Sequence, residues 1–293
     1  MKAKIQKLSL FFFKLFRTTL KLLPEKVKMA IGRLLGFLFK LVSSKRKKIT
    51  IDNLNKSNLK LDSNQIKSIV NSSYQNLGLT LVELLTIDTY NFEAVNPKVN
   101  YSNIDLINKA LELDKGVILL SGHFGNWELL AYSAGVLLNK PLNVVVKYQM
   151  NPFTDKYLRN MRQRGGNVLL DMNKAGRKLI SVLKSNGIIA MLADQRAPEK
   201  DSITLDFMGR EARTFKAPAT LALRLGSPII VGFAVRDKND NYTVNLVELD
   251  MSDLKNDDEG IRILTKRYLD LLEEYIKKYP SLWSWQHKRW QLK

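Results

Sequence analysis

Gly116-Val-Ile-Leu-Leu120 and Gly187-Ile-Ile-Ala-Met-Leu-Ala193 are near-continuous apolar runs, each next to stretches with helical spacing. A strand that is apolar on both sides has to be covered on both sides, which is the condition of a parallel sheet between helical layers. The same alternation continues from about residue 103. Helices are expected at 104–114, 125–139, 152–164, 173–184, 215–225 and 257–278. Strands are expected at 116–121, Leu142–Tyr148, Asn167–Leu170, 187–193, 203–208, Pro228–Val235 and Tyr242–Leu249. The fold class is therefore α/β, with a mostly parallel central sheet covered by helices on both faces. Residues 49–95 read as helical, with Asp62 or Ser63 as a cap and Ile66, Ile69, Val70, Tyr74 and Leu77 on one face.

Residues 1–48 have a different character. The chain carries +19 overall, yet residues 1–50 hold fourteen basic residues and one acid, Glu25. Lys7, Lys14 and Lys21 are seven apart, with Arg17 on the same face, amid a Phe/Leu-rich run ending at Pro24. Lys26, Arg33, Lys40 and Lys47 repeat the spacing against Ile31, Leu34, Leu35, Leu38 and Phe39. Basic stripes on Phe/Leu-rich helices predict an arm lying on an anionic membrane surface. A helical hairpin packed on the body, or a tilted spanning helix with snorkelling lysines, is the alternative. No stretch reaches about 18 uncharged apolar residues, and no secretory cleavage pattern is present. The expected organisation is an arm over 1–48 and a single α/β domain over 49–293.

The chemistry centres on Ser121-Gly-His-Phe-Gly-Asn-Trp-Glu128, where a strand runs out into a helix. His123 is one of two histidines and is suited to take a proton near neutral pH. A carboxylate on its other ring nitrogen would fix the tautomer, and Glu128, five residues on, is placed to reach back. A His that merely closes the strand is the plain alternative. Asp194-Gln195-Arg196 ends another strand and should face the same crevice; an Asp capping the next turn would look the same. Arg159 and Arg162 share a helix face as cations for a developing oxyanion would, or as a solvated face would. Phe207-Met-Gly-Arg-Glu211 with Arg213 reads as a turn before a helix. Three of the four tryptophans lie in Trp283-Ser-Trp-Gln-His-Lys-Arg-Trp290, as an interfacial belt or as packing beneath the site. With no cysteine, disulfides, thiolate metal sites and a Cys nucleophile are excluded. There is no Gly-x-Ser-x-Gly elbow either, so direct transfer of an activated group to a hydroxyl is the natural reaction class.

The octapeptide 121–128 resembles the signature of the bacterial lipid A late acyltransferases (lauroyl/myristoyl acyltransferases), within the lysophospholipid acyltransferase superfamily. Related glycerolipid acyltransferases carry His-x4-Asp with other neighbours, and Asn126 and Trp127 set this version apart. Asn151-Pro152 with the downstream arginines, Leu192-Ala-Asp-Gln195, Phe207-Met-Gly209, Ala217 to Ala222, and Pro280 with Trp285-Gln-His-Lys-Arg agree in order and spacing. The resemblance covers about residues 24–290. It implies a glycerolipid-acyltransferase-like fold and acyl transfer from an acyl-carrier-protein thioester to a hydroxyl of a lipid A precursor. It also implies work at the cytoplasmic face of the bacterial inner membrane. In that picture His123 is the general base and Glu128 its partner. Arg159, Arg162, Asp194, Gln195 and Asn126 surround them; Arg196-Ala-Pro departs from the family's pattern and carries no role.

No metal and no cofactor is expected, only acyl carrier protein or acyl-CoA as co-substrate. The partners implied are acyl carrier protein, an anionic glycolipid acceptor and the inner-membrane surface. A basic chain suits all three. The runner-up is an acyl-CoA-dependent enzyme acting on another glycolipid or phospholipid, such as a mannosylated phosphoinositide. A membrane module without catalysis would not need the His-Glu pair. A nucleic-acid binder would be expected to carry a recognition motif, and none is present.

Overall fold

The computed structural model describes residues 2–148 and 151–291, with the backbone alone for residues 2–9 and 153. Lys7 of the expected basic stripe lies outside the described side chains. Eleven α-helices and nine strands follow in chain order among the described residues. Helices α1 (Lys2–Leu22), α2 (Glu25–Val42), α3 (Ser44–Asn55), α4 (Ser63–Leu85) and α5 (Phe92–Lys98) come first, then strand β1 (Val99–Tyr101) and helix α6 (Asp105–Leu111). The alternating part runs β2 (Val117–Ser121), α7 (Trp127–Leu138), β3 (Leu142–Val146), α8 (Pro152–Arg162), β4 (Val168–Asp171), α9 (Gly176–Lys184) and β5 (Ile188–Leu192). It continues with β6 (Ser202–Phe207), β7 (Arg210–Phe215), α10 (Ala217–Leu225), β8 (Ile229–Arg236), β9 (Tyr242–Glu248) and α11 (Asp258–Lys278).

Seven strands form one sheet in the order β1-β9-β8-β2-β5-β3-β4, parallel throughout except for the β8–β9 hairpin. The α/β class is as expected, but one member of the sheet is not. The expected strand 203–208 forms a separate antiparallel hairpin with β7. Its turn places Met208 and Gly209 at φ 56° and 78°, the left-handed pair that a tight hairpin needs. The short β1, paired with β9, takes the vacant place in the sheet. The sequence of β1 is too short to carry a periodic signal.

Successive residues of β2 and β8 feed two cores. Ile118, Leu120, Ile229, Val231 and Phe233 pack under α9, α10 and α11. Val117, Ile230 and Ala234 pack under α6 and α7. Helix α4 joins both layers, and its start is capped by Asp62, which accepts from the amides of Asn64 and Gln65 while Gln65 accepts in return. Helix α2 crosses α4 at glycines: a Cβ on Gly36 would stand 2.2 Å from the Tyr74 carbonyl oxygen, and one on Gly78 2.1 Å from that of Gly32.

Several charges of the first two helices turn inward, while Lys14 and Lys26 stay exposed. Arg17 donates to the Leu85 carbonyl and, with Lys21, pairs with the buried Asp88. Arg33 binds Asp240, Lys28 pairs with Glu25, and Lys40 donates to Asn71. The apolar side faces out, with Phe11 60%, Phe12 58%, Leu22 82% and Leu41 57% exposed. Among the described residues no helix is long and apolar enough to cross a membrane.

Candidate active site

Strands β2 and β5 are parallel neighbours in register, with Ser121 opposite Leu192. Two residues beyond each strand end stand His123 and Asp194, so sheet register alone brings them together. The His123 amide donates to Asp194 Oδ2 at 2.9 Å, and Nδ1 lies 2.8 Å from Oδ1. The indole N–H of Trp283 donates to the same Oδ2 at 2.9 Å. Asp194 is 1% exposed. Burial alone would push its carboxyl up, but the charge of His123 and the bonds from His123 and Trp283 together hold it below the ordinary carboxylate range. An ionised carboxylate can only accept, so whenever the ring is neutral Nδ1 carries the proton and Nε2 the lone pair. Among the described residues Nε2 has no partner of its own.

The loop that presents His123 is held from three directions. Gly125 at φ 58° lies so close to Ala234 that a Cβ would stand 1.7 Å from its carbonyl oxygen. The Gly125 carbonyl accepts from Asn76 and Thr80 of α4, and its amide donates to Leu282. On the C-terminal side, Ser284 N donates to the His123 carbonyl. Trp283, Trp285 and Trp290 are buried, so the aromatic segment packs beneath the site rather than forming an exposed belt. Asn53 of α3 ties that segment down through the carbonyls of Trp285 and His287.

The expected contact from Glu128 to His123 is not made. Asp194 occupies Nδ1, and Glu128, in the first turn of α7, instead takes two bonds from Arg162 at 2.8 and 2.6 Å. Helix geometry explains the difference: the loop 122–126 and the turn into α7 aim residue 128 at α8, not back along the strand. Burial would lower the Arg162 guanidinium, but the charge of Glu128, its hydrogen bond and the charge of Asp155 together outweigh that and raise it. Arg159 is turned to Asp155 of its own helix and stacks on Tyr148 at 4.4 Å, so it does not join the cluster.

Asn126 is fully buried and works on structure. Its Oδ1 caps α7 at Leu129, and its amide donates to Glu83 at 2.8 Å. Glu83, also fully buried, takes further bonds from both Nη groups of Arg236 and from the Tyr242 hydroxyl. Sequence reasoning missed this knot, although a lone acid inside Leu81-Val-Glu-Leu-Leu85 was a visible signal.

A cavity of about 500 Å3 starts at this cluster. His123, Glu128, Arg162, Gln195 and His287 line its polar end. Leu119, Leu130, Ala134, Val144, Ala190 and Gly232 line the rest, between the sheet and α7. It exists because small residues stand on both walls: Ala131 and Ala134 on the helix, Ala190 and Gly232 on the sheet. Among the described residues no group of three or more His, Asp or Glu side chains is placed to hold a metal ion. The arrangement offers an oriented base at the mouth of an apolar channel, suited to a substrate with a reactive head and a hydrocarbon tail.

A family model described as bacterial lipid A biosynthesis acyltransferase matches residues 2–292. No curated protein matches the chain.

Proposed function

The chain belongs to the bacterial lipid A biosynthesis acyltransferase family, and from that premise we propose that it moves a fatty acyl group from an acyl-carrier-protein thioester to a hydroxyl of a lipid A precursor. The observation that carries this reading is the His123–Asp194 pair at the mouth of the apolar cavity. Nε2 of His123 takes the acceptor's hydroxyl proton as that oxygen attacks the thioester carbon. Asp194 stabilises the imidazolium that forms. The tetrahedral carbon then expels the thiolate, which recovers the proton from Nε2, leaving an ester and a free thiol. The acyl chain lies in the channel, and Glu128 with Arg162 shapes its polar rim. The thioester itself supplies the activated acyl group, so the reaction requires no metal or cofactor.

The surroundings support the same reading. A net charge of +19 favours an acidic carrier protein and a phosphate-bearing acceptor. The outward Phe and Leu side chains of α1 and α2 suit a lipid surface, at the cytoplasmic face of the inner membrane, where carrier and acceptor meet.

The test is mass spectrometry of lipid A from cells lacking this protein, paired with turnover by the purified protein on both substrates. Loss of one secondary acyl chain is expected. Unchanged lipid A would overturn the reading and favour another glycolipid acceptor.

A further inference from the structure

Beside His123 the channel wall carries a polar atom that the protein leaves unused. Ser121 ends β2 on the channel side of the sheet, the side shared with Val117 and Leu119, while Ile118 and Leu120 point into the opposite core. The residue is 7% exposed, and its Oγ has no hydrogen-bond partner. Its backbone is firmly held: the Ser121 carbonyl accepts from the Tyr268 hydroxyl at 2.9 Å and from Ala193 N at 3.2 Å. The hydroxyl takes no part in that. Of the buried side-chain polar atoms without a hydrogen bond among the described residues, only that of Ser121 belongs to a residue lining this channel.

A buried hydroxyl without a partner lowers stability, so its place two residues before the base calls for a ligand atom. The arginines expected to meet the developing oxyanion each already hold a carboxylate, Arg162 that of Glu128 and Arg159 that of Asp155. Resting on the acyl-transfer reading above, we propose that Ser121 Oγ donates a hydrogen bond to the carbonyl oxygen of the acyl thioester and holds it as negative charge builds there. The Ser121 proton stays on Oγ throughout. The bonds made and broken are those of the direct transfer, with no acyl group on the serine.

The experiment uses the full-length protein with an acyl-carrier-protein thioester and a lipid A precursor, comparing wild type, Ser121→Ala and Ser121→Thr. Ser121→Ala should lower kcat by about 10²–10³-fold with the KM for donor little changed. Its melting temperature should be unchanged or higher, because an unsatisfied group is removed. Ser121→Thr, which keeps the hydroxyl, should retain most of kcat. Undiminished turnover in Ser121→Ala, a loss that tracks a fall in melting temperature, or an acyl ester found on Ser121 by intact mass would each overturn the proposal. An inactive wild-type protein would overturn the acyl-transfer reading itself, and this inference with it.

Discussion

Nδ1 of His123 lies 2.8 Å from Oδ1 of Asp194, and the two residues stand the same distance past paired positions on neighbouring parallel strands. The pair is thus set by the register of the sheet rather than by the helix that follows the histidine. Trp283 adds a third bond from the C-terminal segment. An imidazole held this way keeps its tautomer without help from α7.

Asp194→Asn should therefore lower kcat by roughly 10²–10⁴-fold, because an amide cannot both accept from Nδ1–H and carry the charge that stabilises imidazolium. Trp283→Phe keeps the ring packing and removes one donor, so its loss should be smaller. Turnover measured beside near-ultraviolet circular dichroism separates chemistry from folding. Full activity in Asp194→Asn would show that the pair does not orient the base.

Glu128 makes its bonds to Arg162, which yields a different prediction from direct action on His123. Glu128→Gln, Arg162→Met and the double variant should lose similar activity, since each breaks one unit. Additive losses would mean that the two residues act separately, as a direct Glu128–His123 contact requires.

Most of the sheet was legible because its strands are short apolar runs, all but the β8–β9 hairpin separated by helices, a pattern with few foldings. Asp194 was also legible as a polar strand end. What failed was contact geometry that depends on loops. The His-x4-Glu spacing suggested one partner, but a turn containing Gly125 at positive φ redirects residue 128 to α8. Strand 203–208 was read as part of the sheet because a hairpin turn of Met-Gly lacks the usual Asn-Gly or Asp-Gly signal. The pairing of Trp283 with Asp194 and of Glu83 with Asn126 was not legible, since these partners lie 89 and 43 positions apart.

Glu83 joins α4, β8, β9 and the loop at Asn126 in one buried network. Glu83→Gln removes the nearer counter-charge of the Arg236 guanidinium, leaving only Asp240 at 3.6 Å, and should cost about 3–5 kcal/mol. Pairing it with Arg236→Met should recover much of that stability, while activity stays lower because a neutral amide oxygen holds Asn126 less firmly than the carboxylate does. Urea unfolding of the three variants measures the first effect and turnover the second. A single variant as stable as wild type would show the network to be dispensable.

His287 accepts from the Arg196 amide at Nε2. Burial is the main force on its imidazole, and with the charges of His123, Arg289 and Arg46 it outweighs the opposing pull of Asp194, lowering the value from 6.5 to about 4. The folded state therefore resists a proton that the unfolded chain accepts below pH 6.5. The contribution of this group to stability is complete above that value and declines as the pH falls to about 4. Replacing it by His287→Asn should flatten the slope of melting temperature against pH in that interval. An identical slope would show that other groups set the acid limit.

The orientation of α1 and α2 yields the last prediction. Arg17, Lys21, Lys28 and Arg33 are held by Asp88, Glu25 and Asp240, while Phe11, Phe12 and Leu15 face outward. These apolar side chains give α1 and α2 no packing against the body, so a role for them lies outside the fold. Deleting residues 1–42 would be a poor test, because α2 crosses α4 at Gly36 and Gly78 and its loss would uncover Leu79 and Val82 of the core. Substituting Phe11, Phe12 and Leu15 together by serine leaves that crossing intact. Each such side chain gains about 1.5–3 kcal/mol when removed from water, so binding to vesicles containing anionic lipid should weaken by about 10²-fold or more, with melting temperature unchanged. Co-sedimentation equal to that of wild type would remove the membrane reading of these helices and leave the acyl-transfer chemistry standing.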